Sequence, residues 1–69
     1  MPLTLAGVGT QRMIRRIGGN PRVRAHLEHL GFVEGASVRV VSDIAGNLIV
    51  QVKEARVAIS RELAGKIMV

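Results

Sequence analysis

Two histidines and five clustered arginines are the residues of this 69-residue chain whose types and spacing could do chemistry. His26 and His29 stand at i, i+3. On a helix that spacing puts both imidazoles on one face, and imidazole ligates transition metals. Two ligands do not close a coordination shell. Glu28 would project about 100° around the helix from His29, and the chain has no cysteine. The expected state is a pair of solvated histidines beside Arg22. His26 and His29 are therefore weak metal candidates, and a tight site would need ligands from a second chain or a partner.

The arginines are Arg12, Arg15, Arg16, Arg22 and Arg24. Residues 1–27 contain no Asp or Glu, so they carry the whole net charge of +5. Residues 28–69 set Arg39, Lys53, Arg56, Arg61 and Lys66 against Glu28, Glu34, Asp43, Glu54 and Glu62, and are neutral. Such an imbalance points to an anionic partner: an acidic protein face, nucleic acid or anionic headgroups. Readers of single-stranded nucleic acid stack bases on aromatic rings. Here the lone aromatic is Phe32. Only phosphate contact through the Arg12–Arg24 segment would remain, and that is blind to sequence.

Catalytic patterns are absent. The hydroxyls Thr4, Thr10, Ser37, Ser42 and Ser60 occupy no nucleophile elbow. The five acids are scattered, with no pair at an acid–base spacing. Gly7-Val8-Gly9 lacks the Lys and the following helix of a phosphate loop. No catalytic residue and no cofactor are expected. No cysteine means no disulfide. The longest mid-chain aliphatic run, Leu48-Ile49-Val50, falls far short of the ~20 residues of a membrane span. The opening Met1–Leu5 lacks the charged and apolar regions of a signal peptide. A cytoplasmic location is the expectation.

One helix and several strands must position these groups. Asn20 is a good N-cap, Pro21 suits the first helical position, and Gly31 suits the left-handed C′ position. Val23, Leu27 and Leu30 form the apolar stripe between them, opposite Arg22, His26 and His29. Phe32 falls where it packs back on Leu27. Beyond the helix the period becomes two, over 37–42, 47–53 and 57–59, with Val38, Val40, Leu48, Val50 and Val52 facing inward. Ala45-Gly46-Asn47 reads as a hairpin loop and Glu54-Ala55-Arg56 as a second turn. Ser60 caps one short turn, Arg61–Ala64, closed by Gly65, and Ile67 and Val69 mark a last strand. Gln11–Ile17 is a further strand, but clean alternation would not bury both Ile14 and Ile17, which suggests a bulge. Gly31 and Gly35 are expected to be structural turn residues, Gly35 because a side chain there would be crowded. The fold class is mostly β: about five short strands with one inserted α-helix, closing into a small barrel within a single domain, 1–69.

The run Leu30-Gly31-Phe32-Val33-Glu34-Gly35-Ala36-Ser37-Val38 resembles the LGF-x-x-G-x-x-V turn of the FeoA family. Gly46-Asn47-Leu48-Ile49-Val50, Arg56-Val57-Ala58-Ile59, Ala64, Ile67-Met68-Val69 and the opening Leu3-Thr4-Leu5 with Gly9 are similar to it as well. The match runs without gaps. Glu34 stands where family members often carry Pro. The resemblance implies an SH3-like barrel and a small cytosolic accessory protein of bacterial ferrous iron transport, without catalysis of its own. Its implied partner is the cytosolic, GTP-binding part of the FeoB permease, with membrane contact only through that partner and no nucleic acid. Transition metal ion binding is implied at family level, and self-association is left open. Arg12, Arg15, Arg16, Arg22 and Arg24 are the expected partner-binding face. Similar barrels end DtxR-type metal-dependent repressors. No helix-turn-helix precedes this one, which is expected to set the chain apart from them.

Overall fold

A computed structural model describes residues 1–69. In chain order its strands are β1 (Gln11–Met13), β2 (Arg16–Ile17), β3 (Ser37–Ile44), β4 (Asn47–Val52), β5 (Ala55–Ser60) and β6 (Ile67–Met68). Helix α1 (Pro21–His29) lies between β2 and β3, and a single helical turn, α2 (Arg61–Ala64), lies between β5 and β6. A 3-10 turn over Leu3–Leu5 precedes them. One sheet has the order β1-β3-β4-β5, and β2 pairs with β6 in a second, with every pairing antiparallel.

The helix is set by its ends. Asn20 Oδ1 accepts from the Val23 backbone N–H at 2.9 Å, which satisfies a donor that a helix start leaves unpaired. At the other end Gly31 has φ +104°. Its N–H donates to the Glu28 carbonyl at 2.9 Å, and the Phe32 N–H donates to the Leu27 carbonyl at 3.0 Å. These two bonds make a Schellman motif. Leu27 and Phe32 are both fully buried in the common core. The motif thus turns the chain and plants its largest apolar side chain in one step.

The strands from Ser37 to Ser60 form a meander with two-residue turns. Val38, Val40, Leu48, Val50 and Val52 all face the core, each at most 1% exposed. The turns are tighter than the sequence suggests. Ala45 and Gly46 alone connect β3 to β4, both with positive φ, in the mirror-image turn whose twist matches that of the strands. Asn47, at the boundary of the expected loop and the 47–53 strand, belongs to the strand and pairs with Ile44. The second turn is Lys53-Glu54, so Lys53, expected at the end of the 47–53 strand, lies in the turn, and Ala55 and Arg56, expected in the turn, belong to β5. Gly35 also differs from expectation. Nothing lies within 4 Å of a Cβ built there, and φ is +86°. Backbone conformation, not crowding, calls for glycine.

The Gln11–Ile17 segment resolves its own ambiguity by changing sheets. Ile14 exchanges backbone bonds with the 35–36 turn: its N–H donates to the Ala36 carbonyl and its carbonyl accepts from Gly35, both at 2.8 Å. The next N–H, that of Arg15, donates instead to the Met68 carbonyl at 2.7 Å. The one expected strand is therefore two, which raises the count to six. Both isoleucines are buried, Ile14 at 1% and Ile17 at 8% exposed, because each serves a different sheet. The fold is small, and the sheet does not close into a continuous barrel as expected: β1-β3-β4-β5 and β2-β6 remain two separate ladders.

The chain ends complete the second sheet. The Val69 N–H donates to the Met1 carbonyl at 2.7 Å, the N-terminal ammonium donates to the Val69 carbonyl at 3.3 Å, and Pro2 bridges Met68. Leu3, fully buried, joins Ile67 in the core beneath them. Ser60 Oγ caps α2 by accepting from Leu63 N–H at 3.2 Å, and Arg61 pairs with Asp43 of β3.

Candidate functional site

Each of the five N-terminal arginines is exposed. Arg12 lies on β1 in register with Val38, and Arg16 on β2 in register with Met68. Arg15 sits at the corner between those strands, and Arg22 and Arg24 lie in the first turn of α1. Two residues apart on a helix, Arg22 and Arg24 do not face each other. The structure thus spreads the five over the strands and the helix rather than gathering them into one row. None of them has a carboxylate partner, since the one ion pair of the molecule is Arg61–Asp43. Unpaired cations in water are free to meet an anionic surface without first breaking an internal bond.

His26 and His29 lie exposed on the solvent side of α1, opposite buried Leu27. No third His, Asp, Glu or Cys joins them in a cluster. The pair offers two nitrogens and open solvent, so any metal held there would take its remaining ligands from elsewhere.

A second cationic region lies on the outer face of the four-stranded sheet. Gln11, Arg39, Gln51 and Arg56 stand in register, one from each strand. They point away from the core because their strand neighbours Val38, Val40, Val50 and Val52 point into it. Gln11, Ser37, Arg39, Gln51 and Lys53 line an open groove of ≈ 410 Å³ with no acidic residue in its walls. Gln11 Nε2 donates to Ser37 Oγ at 2.6 Å, which fixes both side chains. Charge counted along the chain hides this region, because residues 28–69 sum to zero. The signal that finds it is the alternation itself. If Val38 and Val40 face in, Arg39 faces out, and if Val50 and Val52 face in, Gln51 faces out.

The sequence profile of the FeoA domain matches residues 1–69. The chain belongs to the FeoA family. Solved FeoA structures agree in shape. A FeoA described as an iron uptake regulatory protein superposes with TM-score 0.89 at 32% identity, over 97% of this chain and 91% of its own. The zinc complex of Stenotrophomonas maltophilia FeoA gives 0.85 at 28%, over 99% and 87%. That protein is described as a unique procaryotic SH3 domain protein and a candidate ferrous iron transport activating factor. A manganese-dependent transcriptional repressor gives 0.88 at 21% identity, over 97% of this chain and 39% of that one, a likeness of fold alone. Among curated proteins no sequence match is found. No helix of this FeoA-family chain is long and apolar enough to cross a membrane.

Proposed function

We propose that this chain is a cytosolic accessory protein of ferrous iron transport that binds the cytosolic part of the FeoB permease and catalyses nothing itself. The observation that carries the reading is the FeoA match over residues 1–69. The description of the Stenotrophomonas maltophilia relative as a candidate transport activating factor supports the transport role. Arg12, Arg15, Arg16, Arg22 and Arg24, exposed and without internal partners, are the residues that meet an acidic face of that partner. Rim charges chiefly set the association rate and its salt dependence.

The test is capture of the FeoB cytosolic domain, with and without guanine nucleotide, followed by association kinetics over 50–200 mM salt. Arg15→Glu with Arg16→Glu should slow association roughly tenfold or more and leave stability within ~0.5 kcal/mol. A nucleic-acid binder behaves differently. Five phosphate contacts would give a log–log salt slope near −4.5, a loss of roughly 500-fold across that range for any duplex. Tight duplex binding with that slope, and no capture of the FeoB domain at any salt, would sink the accessory role.

A further inference from the structure

The outer-face groove has the chemistry of a carboxylate receptor. Its walls supply the Arg39 guanidinium, the Lys53 ammonium and the Gln51 amide. Because Ser37 Oγ accepts from Gln11, its own O–H remains free to donate. Donors surround the groove and no carboxylate competes for them: the molecule's one ion pair engages Arg61 and Asp43, not Arg39 or Lys53. A site so composed takes an anion.

Spacing and shape choose among anions. Arg39 stands opposite Gln51 in the ladder, and Lys53 lies two residues beyond Gln51, in the turn that follows β4, so the two cations rise from separate points of the groove rim. Carboxylates at i and i+2 of an extended chain are separated by about 6.6 Å. A segment with two separated carboxylates satisfies both cations at once, whereas a single phosphate does so only if both side chains converge on it. No helix N-terminus points into the groove, and no aromatic ring walls it for a nucleobase. Lys53 holds φ +56° in its two-residue turn, as Ala45 holds φ +42° in the other, a conformation that glycine or asparagine adopts at lower cost.

We propose that this groove binds an extended acidic segment of a partner protein, with Arg39 and Lys53 each taking one of two carboxylates at alternate positions. The surface is separate from the five N-terminal arginines and does not depend on which protein they meet.

The experiment uses a fluorescein-labelled peptide, Gly-Glu-Val-Glu-Val-Glu-Gly, titrated with the full chain and read by anisotropy. Binding is expected, weakened roughly tenfold or more by Arg39→Gln, by Lys53→Gly and by Gln for Glu throughout the peptide. Lys53→Gly relieves the turn, so its melting temperature should equal or exceed that of the parent, which separates lost binding from lost fold. Arg15→Gln with Arg16→Gln should leave affinity within about twofold. The proposal is overturned by absent binding at about 1 mM protein, or by equal binding of the glutamine peptide. It is likewise overturned if the Arg39 and Lys53 variants keep parental affinity or if the Arg15/Arg16 pair matters as much. Pyrophosphate displacing the peptide at equal or lower concentration would reassign the groove to simple phosphate.

Discussion

The meander from Ser37 to Ser60 and the clasp that joins residues 1–17 to 67–69 contribute to one core and are held by different means. Leu48 and Val50 of the meander are 1% and 0% exposed; Leu3 and Ile67 of the clasp are both 0%. Backbone pairing is unequal. β3 and β4 run for eight and six residues with only Ala45-Gly46 between them. β2 and β6 are two residues each, and their partners lie some fifty positions apart in the chain. Burial is therefore a property of the whole core, while resistance to opening is local. The clasp must be the part that opens first.

The largest effect that can break this comparison is a matched pair of truncations. Leu48→Ala and Ile67→Ala should each cost roughly 2–5 kcal/mol in a denaturant titration, because both empty a closed core. Amide exchange in the parent should nevertheless separate the regions, with the Arg15, Gly18 and Val69 amides, bonded to Met68, Lys66 and Met1, exchanging before the centre of β4. Simultaneous exchange would mean that clasp and meander open as one unit.

Glycine substitutions sharpen the boundary. Gly31 faces Val52 of the meander at 3.6 Å from a built Cβ, whereas Gly35 faces open space. Gly31→Val should therefore cost about 2 kcal/mol or more, and Gly35→Ala about 1, since both violate φ but only the first sets a branched side chain against Val52. Melting temperatures rank the two. A reversed order would show that the corner at Ile14, which Gly35 bonds, is more tightly built than the meander. The smallest effect is at the helix between the regions: Asn20→Ala removes one cap and should cost about 1 kcal/mol, read as a modest fall in denaturation midpoint.

Legibility follows the same division. The meander could be read because its contacts are local and its alternation has one solution. Val38, Val40, Leu48, Val50 and Val52 cannot all face in without fixing the register. Asn20 and Gly31 announced both ends of α1 for equally local reasons. Ile14 and Ile17 could not be resolved, because their burial depends on a switch between partners contributed by residues 35–36 and 68. Leu3 gave no core signal, since a 3-10 turn has no periodicity to extend. The groove of Arg39 and Lys53 was hidden for another reason. Summing charge along the chain cancels these cations against Glu34 and Glu54, which lie outside the groove walls. His26 and His29 lie on the helix face that the capping residues and apolar stripe indicated.

The bonded chain ends make the backbone almost a ring, with Met1 and Val69 joined by two hydrogen bonds. In such a ring, which contacts are near and which are far depends on where the circle is cut. Joining residue 69 to residue 1 through a short linker and opening the chain at Lys53-Glu54 would turn the pairing of β2 with β6 into a local one. The pairing of β4 with β5 would become the distant one instead. The packing would be unchanged, but the entropy of closing the clasp would fall and that of closing the sheet would rise. The order in which the two regions form is thus a property of the chain's route and is separable from the architecture it builds.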